Sequence, residues 1–274
     1  MPLPGNLLDP IPGSSPCGEN LYYSPIYDKI KEARRQEEEI NQGEWRHEIK
    51  KADYVQVIKL TTDALAKKTK DLQLAAWLTE ALLKQHGFDG LADGLDLMRG
   101  LIEGFWEGLY PELEDGDAEL RATPLEWIGA RLDETARQVP ITESGLNWLV
   151  YKDSRSIPYE ADASGNEAKS KLRETALADG KLTPEEFDAA FAATSTDFST
   201  TQQAGLGRVL EALEALGQVS DEKFGSAAPS FGPLRSAVED IQQTIKILLA
   251  KRGVVSPAAA APAAEEAGIW QAPA

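Results

Sequence analysis

The sequence predicts an all-α protein: a multi-helix N-terminal domain of packed helical hairpins, followed by a smaller helical middle region. Two observations carry this expectation. Apolar residues recur at steps of three and four, most regularly at Leu91, Leu95, Met98, Ile102, Phe105 and Leu109. Helix-opening residues precede several such stretches, with Ser24 before Pro25, Asp71 before Leu72, and Thr183 before Pro184.

Residues 1–24 are rich in proline and glycine and read as an extended arm. Leu7, Leu8 and Ile11 give the arm apolar anchors, so it should pack on the domain that follows. Ser24 and Pro25 then open a first helix with Ile26, Tyr27 and Ile30 on its apolar face, and the run from Arg34 to Glu39 is charged enough to be solvated. Asp53 and Gln56 suggest the cap of a second helix, with Tyr54, Val57, Ile58, Thr61 and Leu65 on one side. Asp71 caps a third helix that ends near Gly87 and carries Leu74, Trp77, Leu78, Ala81 and Leu82. The fourth, from Leu91 to Leu109, should stop before Pro111.

An acidic loop from Glu112 to Glu119 follows, and Thr123-Pro124-Leu125-Glu126 reads as a capping box opening the helix of Trp127, Ile128 and Leu132. Residues 141–159 lack a clean period and read as an ordered loop with room for a short strand. Residues 160–179 suggest one polar surface helix, and Thr183-Pro184-Glu185-Glu186 opens a short one. A final helical hairpin is expected, with Leu206, Val209, Leu210, Leu213 and Leu216 on one arm. Leu234, Val238, Ile241, Ile245 and Leu248 lie on the other, and residues 217–230 connect them. After Gly253 the composition turns to alanine and proline, the signature of a flexible linker. The expected divisions are therefore an arm over 1–24, a helical domain over 25–160, a middle region over 161–252 and a tail over 253–274.

The formal net charge is −17, which repels phosphate backbones and anionic lipid heads and disfavours nucleic acid or a bare membrane surface as a partner. Cys17 is the sole cysteine, so neither an internal disulfide nor a cysteine metal cluster is available. No signal peptide or membrane-spanning apolar run is evident, so no direct membrane insertion is expected.

Catalytic motifs are missing in turn. His47 sits beside Glu48 without a second histidine four residues on, and His86 lies near a helix end. There is no Gly-x-Ser-x-Gly elbow and no glycine-rich nucleotide loop. Cys17, in a Pro-Cys-Gly arm, reads as a small buried side chain. The stretch from Ala178 to Phe187 imitates half of an EF-hand, but a calcium loop would need an oxygen ligand at Leu177, so a capping box explains it better. No catalytic residue, cofactor or metal is expected.

Gly90, Gly94, Gly100, Gly104 and Gly108 each weaken a helix by about 1 kcal/mol relative to alanine. Their four-residue spacing suggests close approach of a neighbouring helix. Trp77, Trp106 and Trp127 fall on or beside core stripes, whereas Trp45 and Trp148 lie in less regular segments and are candidate interface anchors.

Several blocks are more specific than any of these patterns. The first is Pro16-Cys17-Gly18-Glu19-Asn20-Leu21, with Tyr22, Tyr23 and Pro25 behind it. Then come Trp45, the stretch Leu72 to Leu83 containing Trp77, and Phe105-Trp106-Glu107-Gly108-Leu109-Tyr110-Pro111. Asp115-Gly116-Asp117 and Leu125-Glu126-Trp127 close the set. In this order the blocks resemble the TssA (ImpA N-terminal domain) family of bacterial type VI secretion, most strongly over about residues 9–150.

The resemblance implies a cytoplasmic, non-enzymatic assembly or scaffold component of a contractile-tail injection machine. Such a component would bind baseplate, tail tube and sheath, and membrane-complex proteins, and prime or cap the growing tail. It makes Pro16, Cys17, Gly18, Glu19, Leu21, Tyr23, Trp45, Trp77, Trp106, Tyr110, Pro111 and Trp127 signature residues with structural or partner-binding roles. A homo-oligomer is a further implication, although the chain ends just after the Ala/Pro stretch, where a C-terminal oligomerisation domain would begin. The residues alone leave open a different reading, a helical adaptor or regulator binding an unrelated protein.

Overall fold

A computed structural model describes residues 3–37 and 50–253. Among these residues the chain forms ten α-helices and no strand, as the periodicities predict. They are α1 (Pro25–Arg34), α2 (Tyr54–Lys67), α3 (Leu72–Phe105), α4 (Glu119–Arg137) and α5 (Trp148–Ser154). The rest are α6 (Glu160–Ala163), α7 (Glu167–Ala178), α8 (Pro184–Ala193), α9 (Thr196–Phe224) and α10 (Gly232–Lys251).

The central element, α3, is itself a hairpin. A straight helix of 34 residues would be about 51 Å long. Instead the backbone leaves the helical region at Gly87, with φ 61° and ψ −142°, and the chain folds back on itself. Gly94 then lies against Thr79, where a Cβ would stand 2.5 Å from the threonine Oγ1. At the open end the Leu72 N–H donates to the Tyr110 carbonyl at 2.9 Å. The third and fourth helices expected from the sequence are the two arms of this hairpin.

Helix α3 packs on α2, α4 and α9, and α10 packs on α4 and α9. One apolar cluster runs from Leu7 in the arm through α3 to Leu249 in α10. Both stripes of the late hairpin are in it, with Leu206, Val209, Leu213, Leu234, Val238, Ile241 and Ile245 fully buried. Gly129 of α4 presses on the backbone at Ser230, ahead of α10.

Several caps stand as expected. Asp53 accepts the Gln56 N–H at 2.9 Å, and Thr183 and Glu186 form a reciprocal capping box. That box accounts for the EF-hand look-alike.

Other expectations need correction. Helix α4 begins before Thr123, because Asp117 accepts the Glu119 N–H at 2.9 Å and starts the helix there. Pro124 is thus inside α4, and Thr123 donates to the Glu119 carbonyl instead of capping. Residues 141–159 contain a short helix, α5, capped by Asn147, which accepts the Val150 N–H at 3.0 Å. Seven residues are too few to display a period. The surface helix expected over 160–179 is split into α6 and α7 by Gly165, at φ 80°.

The connector expected over 217–230 is mostly helix. Leu216, Ser220 and Phe224 continue the buried stripe, Gly217 faces open space, and α9 ends only at Gly225, with φ 54°. Gly90 and Gly94 lie against Leu82 and Thr79 of the first α3 arm, the close helix approach their spacing suggests, but the later glycines meet something else. A Cβ at Gly100 would stand 2.7 Å from Leu8, and one at Gly108 would stand 2.9 Å from the Cys17 sulfur, so the N-terminal arm takes that space. Gly104 faces nothing within 4 Å.

Candidate functional site

The signature residues converge at the open end of the α3 hairpin. Three stretches of backbone run side by side there. Lys70 N–H donates to the Cys17 carbonyl at 2.8 Å, and Glu19 N–H to the Lys68 carbonyl at 2.9 Å. On the other side Tyr110 N–H donates to the Lys70 carbonyl at 3.0 Å. The Tyr110 hydroxyl closes the set by donating to the Gly18 carbonyl at 3.1 Å. The arm is thus a strap, and Gly18 is its tightest point, at φ 70° and against the Lys68 carbonyl. Pro16 is exposed, but its carbonyl accepts the Ile11 N–H at 2.9 Å and folds the strap on itself.

Buried charges fasten the strap. The Lys70 side chain is fully buried and donates to the Leu7 carbonyl at 2.7 Å and the Leu65 carbonyl at 2.8 Å. Burial pushes its pKa down, against the pull of Asp9 and Cys17. Arg121, also fully buried, donates to the carbonyls of Pro111 at 2.8 Å, Trp106 at 2.5 Å and Leu109 at 2.5 Å. Its cation thereby closes the carbonyl end of α3, where positive charge is favoured.

Asp71 caps the other end by accepting the N–H groups of Gln73 at 2.7 Å and Leu74 at 3.2 Å. The Tyr27 hydroxyl donates to its second oxygen. Burial raises the Asp71 pKa to about 6, and those three hydrogen bonds only partly offset it. Cys17 is buried against Gly108 and donates weakly from Sγ to the Phe105 carbonyl at 3.7 Å. Burial raises its pKa, against the pull of Arg121 and Lys70, which disfavours the thiolate.

The signature tryptophans lie around this framework. Trp77 is buried edge-on to Tyr27 at 5.2 Å. Arg34 stacks between Trp77 at 5.0 Å and Trp127 at 5.3 Å and pairs with Glu80 at 2.7 Å. Arg34 is thus packed, not solvated as its charged neighbourhood suggests. Trp106 covers Arg121 at 4.7 Å and meets Phe224 of α9 edge-on at 4.9 Å. Trp148 is half-buried, with Arg137 4.1 Å from its ring, and donates to Thr244 at 3.1 Å. Leu21 is buried, Pro111 half-buried and Glu19 exposed. Tyr23 stands almost wholly in solvent at 95% exposure, edge-on to Tyr22. Trp45 and His47 lie outside the described residues, as does the tail beyond Gly253.

Among the described residues no cluster of three or more histidine, cysteine or carboxylate side chains could hold a metal, and no helix is long and apolar enough to cross a membrane. The buried titratable groups at the strap are engaged by backbone atoms or by each other. Sequence reasoning missed Lys70, Arg121 and the Tyr27–Asp71 pair. Nothing in a helical period marks a buried cation whose partners are carbonyl groups.

Three comparisons with known proteins agree on one family. A family model described as ImpA, N-terminal, type VI secretion system matches residues 8–130, a span that holds the strap and the α3 hairpin. Type VI secretion system component TssA1 of Pseudomonas aeruginosa is 28% identical over 271 residues, covering 96% of this chain and 74% of that protein. A solved structure is similar with a TM-score of 0.79 at 31% identity. It is the N-terminal domain, including the conserved ImpA_N region, of the TssA component from Burkholderia cenocepacia, and the match covers 93% of this chain and 97% of that one.

Proposed function

Because this chain belongs to the TssA family of the type VI secretion system, we propose that it is a non-catalytic assembly scaffold of that apparatus. In this reading it works in the cytoplasm, binds baseplate, tail tube and sheath, and membrane-complex proteins, and primes or caps the growing tail. The observation that carries the reading is the near end-to-end match to a solved TssA N-terminal domain, which leaves little of this chain for a separate function. The chemistry of the strap supports it. Its cysteine is buried, its lysine and arginine serve carbonyl groups, and its aspartate caps a helix.

The signature residues then divide by role. Cys17, Gly18, Leu21, Trp77, Trp106, Tyr110, Pro111 and Trp127 build the framework. Glu19 and Tyr23, exposed on the strap, are the signature side chains that face partners. Capture of the tagged full chain from cells expressing the apparatus tests the proposal. Baseplate, tube, sheath or membrane-complex proteins should be enriched over a tag-only control. Their absence from the captured fraction, while present in the same lysate, would overturn it.

A further inference from the structure

A concavity lies away from the strap's signature residues, between α2 and the first arm of α3. It is a groove of about 740 Å³. Val55, Ile58, Thr62 and Ala66 form its long wall, Leu82 lies opposite, and Leu3 of the arm also lines it. Val55 to Ala66 spans about 16 Å, or three helical turns, at 1.5 Å per residue. Val55 is 66% exposed although it is apolar and lies on an ordered helix.

The rim has a charge opposite to the molecule's. Asp63 is held below the usual carboxylate range, first by the Lys67 ammonium that pairs with it and then by the charges of Lys67, Lys68 and Lys59. Three cations therefore gather round one carboxylate, in a chain whose net charge is −17. Lys59 and Lys67 themselves border the groove.

We propose that this groove docks an amphipathic helix of a partner protein, one that carries two bulky apolar side chains flanked by aspartate or glutamate. A helix laid along α2 over three turns presents a row of side chains at i, i+4 and i+7 to an apolar floor. Acidic flanks meet the lysine rim, and the overall negative field of the chain is locally reversed there. A second copy fits poorly, because a two-fold contact through the groove would bring its two lysine rims together. The inference stands on the groove and holds whether or not the partner belongs to the secretion apparatus.

The test is selection of a displayed library of helical peptides, about 16 residues long, on the full chain. Enriched peptides should share two large apolar residues at helical spacing with neighbouring carboxylates. Val55→Asp should weaken the selected peptides about tenfold or more, as loss of a central apolar contact does. Lys59→Glu should also weaken them, and its effect should shrink at high salt. Both sites are exposed, so unchanged helicity in each variant shows that folding is intact. Enrichment of basic peptides, no enrichment, or selected peptides that bind Val55→Asp unchanged would each overturn the proposal.

Discussion

Gly18 passes the Lys68 carbonyl so closely that no side chain fits between them. A Cβ there would overlap the oxygen, and the backbone is in the left-handed region at φ 70°. The next residue, Glu19, donates its N–H to that same carbonyl at 2.9 Å. A glycine is thus the condition for the strap to reach the base of the α3 hairpin. Gly18→Ala should lower stability by roughly 2 kcal/mol or more, since both strain and overlap act. Urea unfolding measures the loss, and the amides of Glu19 and Lys70 should lose hydrogen-exchange protection first.

Asp71 gives a dependence on pH with a definite sign. Its folded pKa of about 6 lies above the ordinary value of 3.8, so the folded state holds the proton more tightly than the unfolded one. The aspartate's contribution to stability is therefore largest below about pH 4 and declines as pH rises through 6. The difference, at 1.36 kcal/mol per pKa unit, is about 3 kcal/mol. Asp71→Asn removes this titration and keeps an oxygen for the cap. Relative to wild type, the variant should gain stability between pH 4 and pH 7 in paired urea titrations, and a constant difference would refute the assignment.

Arg121 holds three main-chain carbonyls that no other described side chain serves. Arg121→Met keeps the volume but leaves the Leu109 carbonyl buried without its donor and the Pro111 and Trp106 carbonyls partly buried. At about 1–3 kcal/mol for a buried unsatisfied group, the loss should be about 1–3 kcal/mol or more. Thermal unfolding checks this, with Arg131→Met on the exposed side of α4 as a control that should change little.

Two glycines should respond in opposite directions to the same substitution. Gly129→Ala drives a methyl group into the Ser230 carbonyl and should destabilise the junction of α4 with α10. Gly207 lies in the interior of α9 with nothing within 4 Å. Gly207→Ala should stabilise the protein by about 0.5–1 kcal/mol through helix propensity alone. Comparing the two melting temperatures separates close approach from propensity.

The helices were legible where an apolar stripe was long and a cap was local. Leu91 to Leu109 and Leu234 to Leu248 are such stripes, and Asp53, Asp71 and Thr183 are such caps. Legibility failed where a local signal had a competitor. Thr123-Pro124 imitates a helix start, but Asp117 opens α4 earlier. Gly217 looks like a break, but the buried Ser220 and Phe224 carry α9 past it. The strap was visible as a block of residues and its mechanics were not. Lys70 and Tyr27 reach groups 63 and 44 residues away and Arg121 groups 10 to 15 residues away, all outside helical spacing. The groove along α2 was equally hidden, because Val55 and Ile58 read as ordinary helix residues until the neighbouring arm of α3 is in place.

The measurement that tests the central claim most directly is a count of assembled contractile tails in living cells, using a fluorescent sheath protein. The native strain, a strain lacking this chain, and that strain with the chain restored should be compared. A scaffold that primes or caps the tail predicts few or misshapen tails without the chain and recovery once it is restored. Tails of normal number and length in its absence would contradict the account.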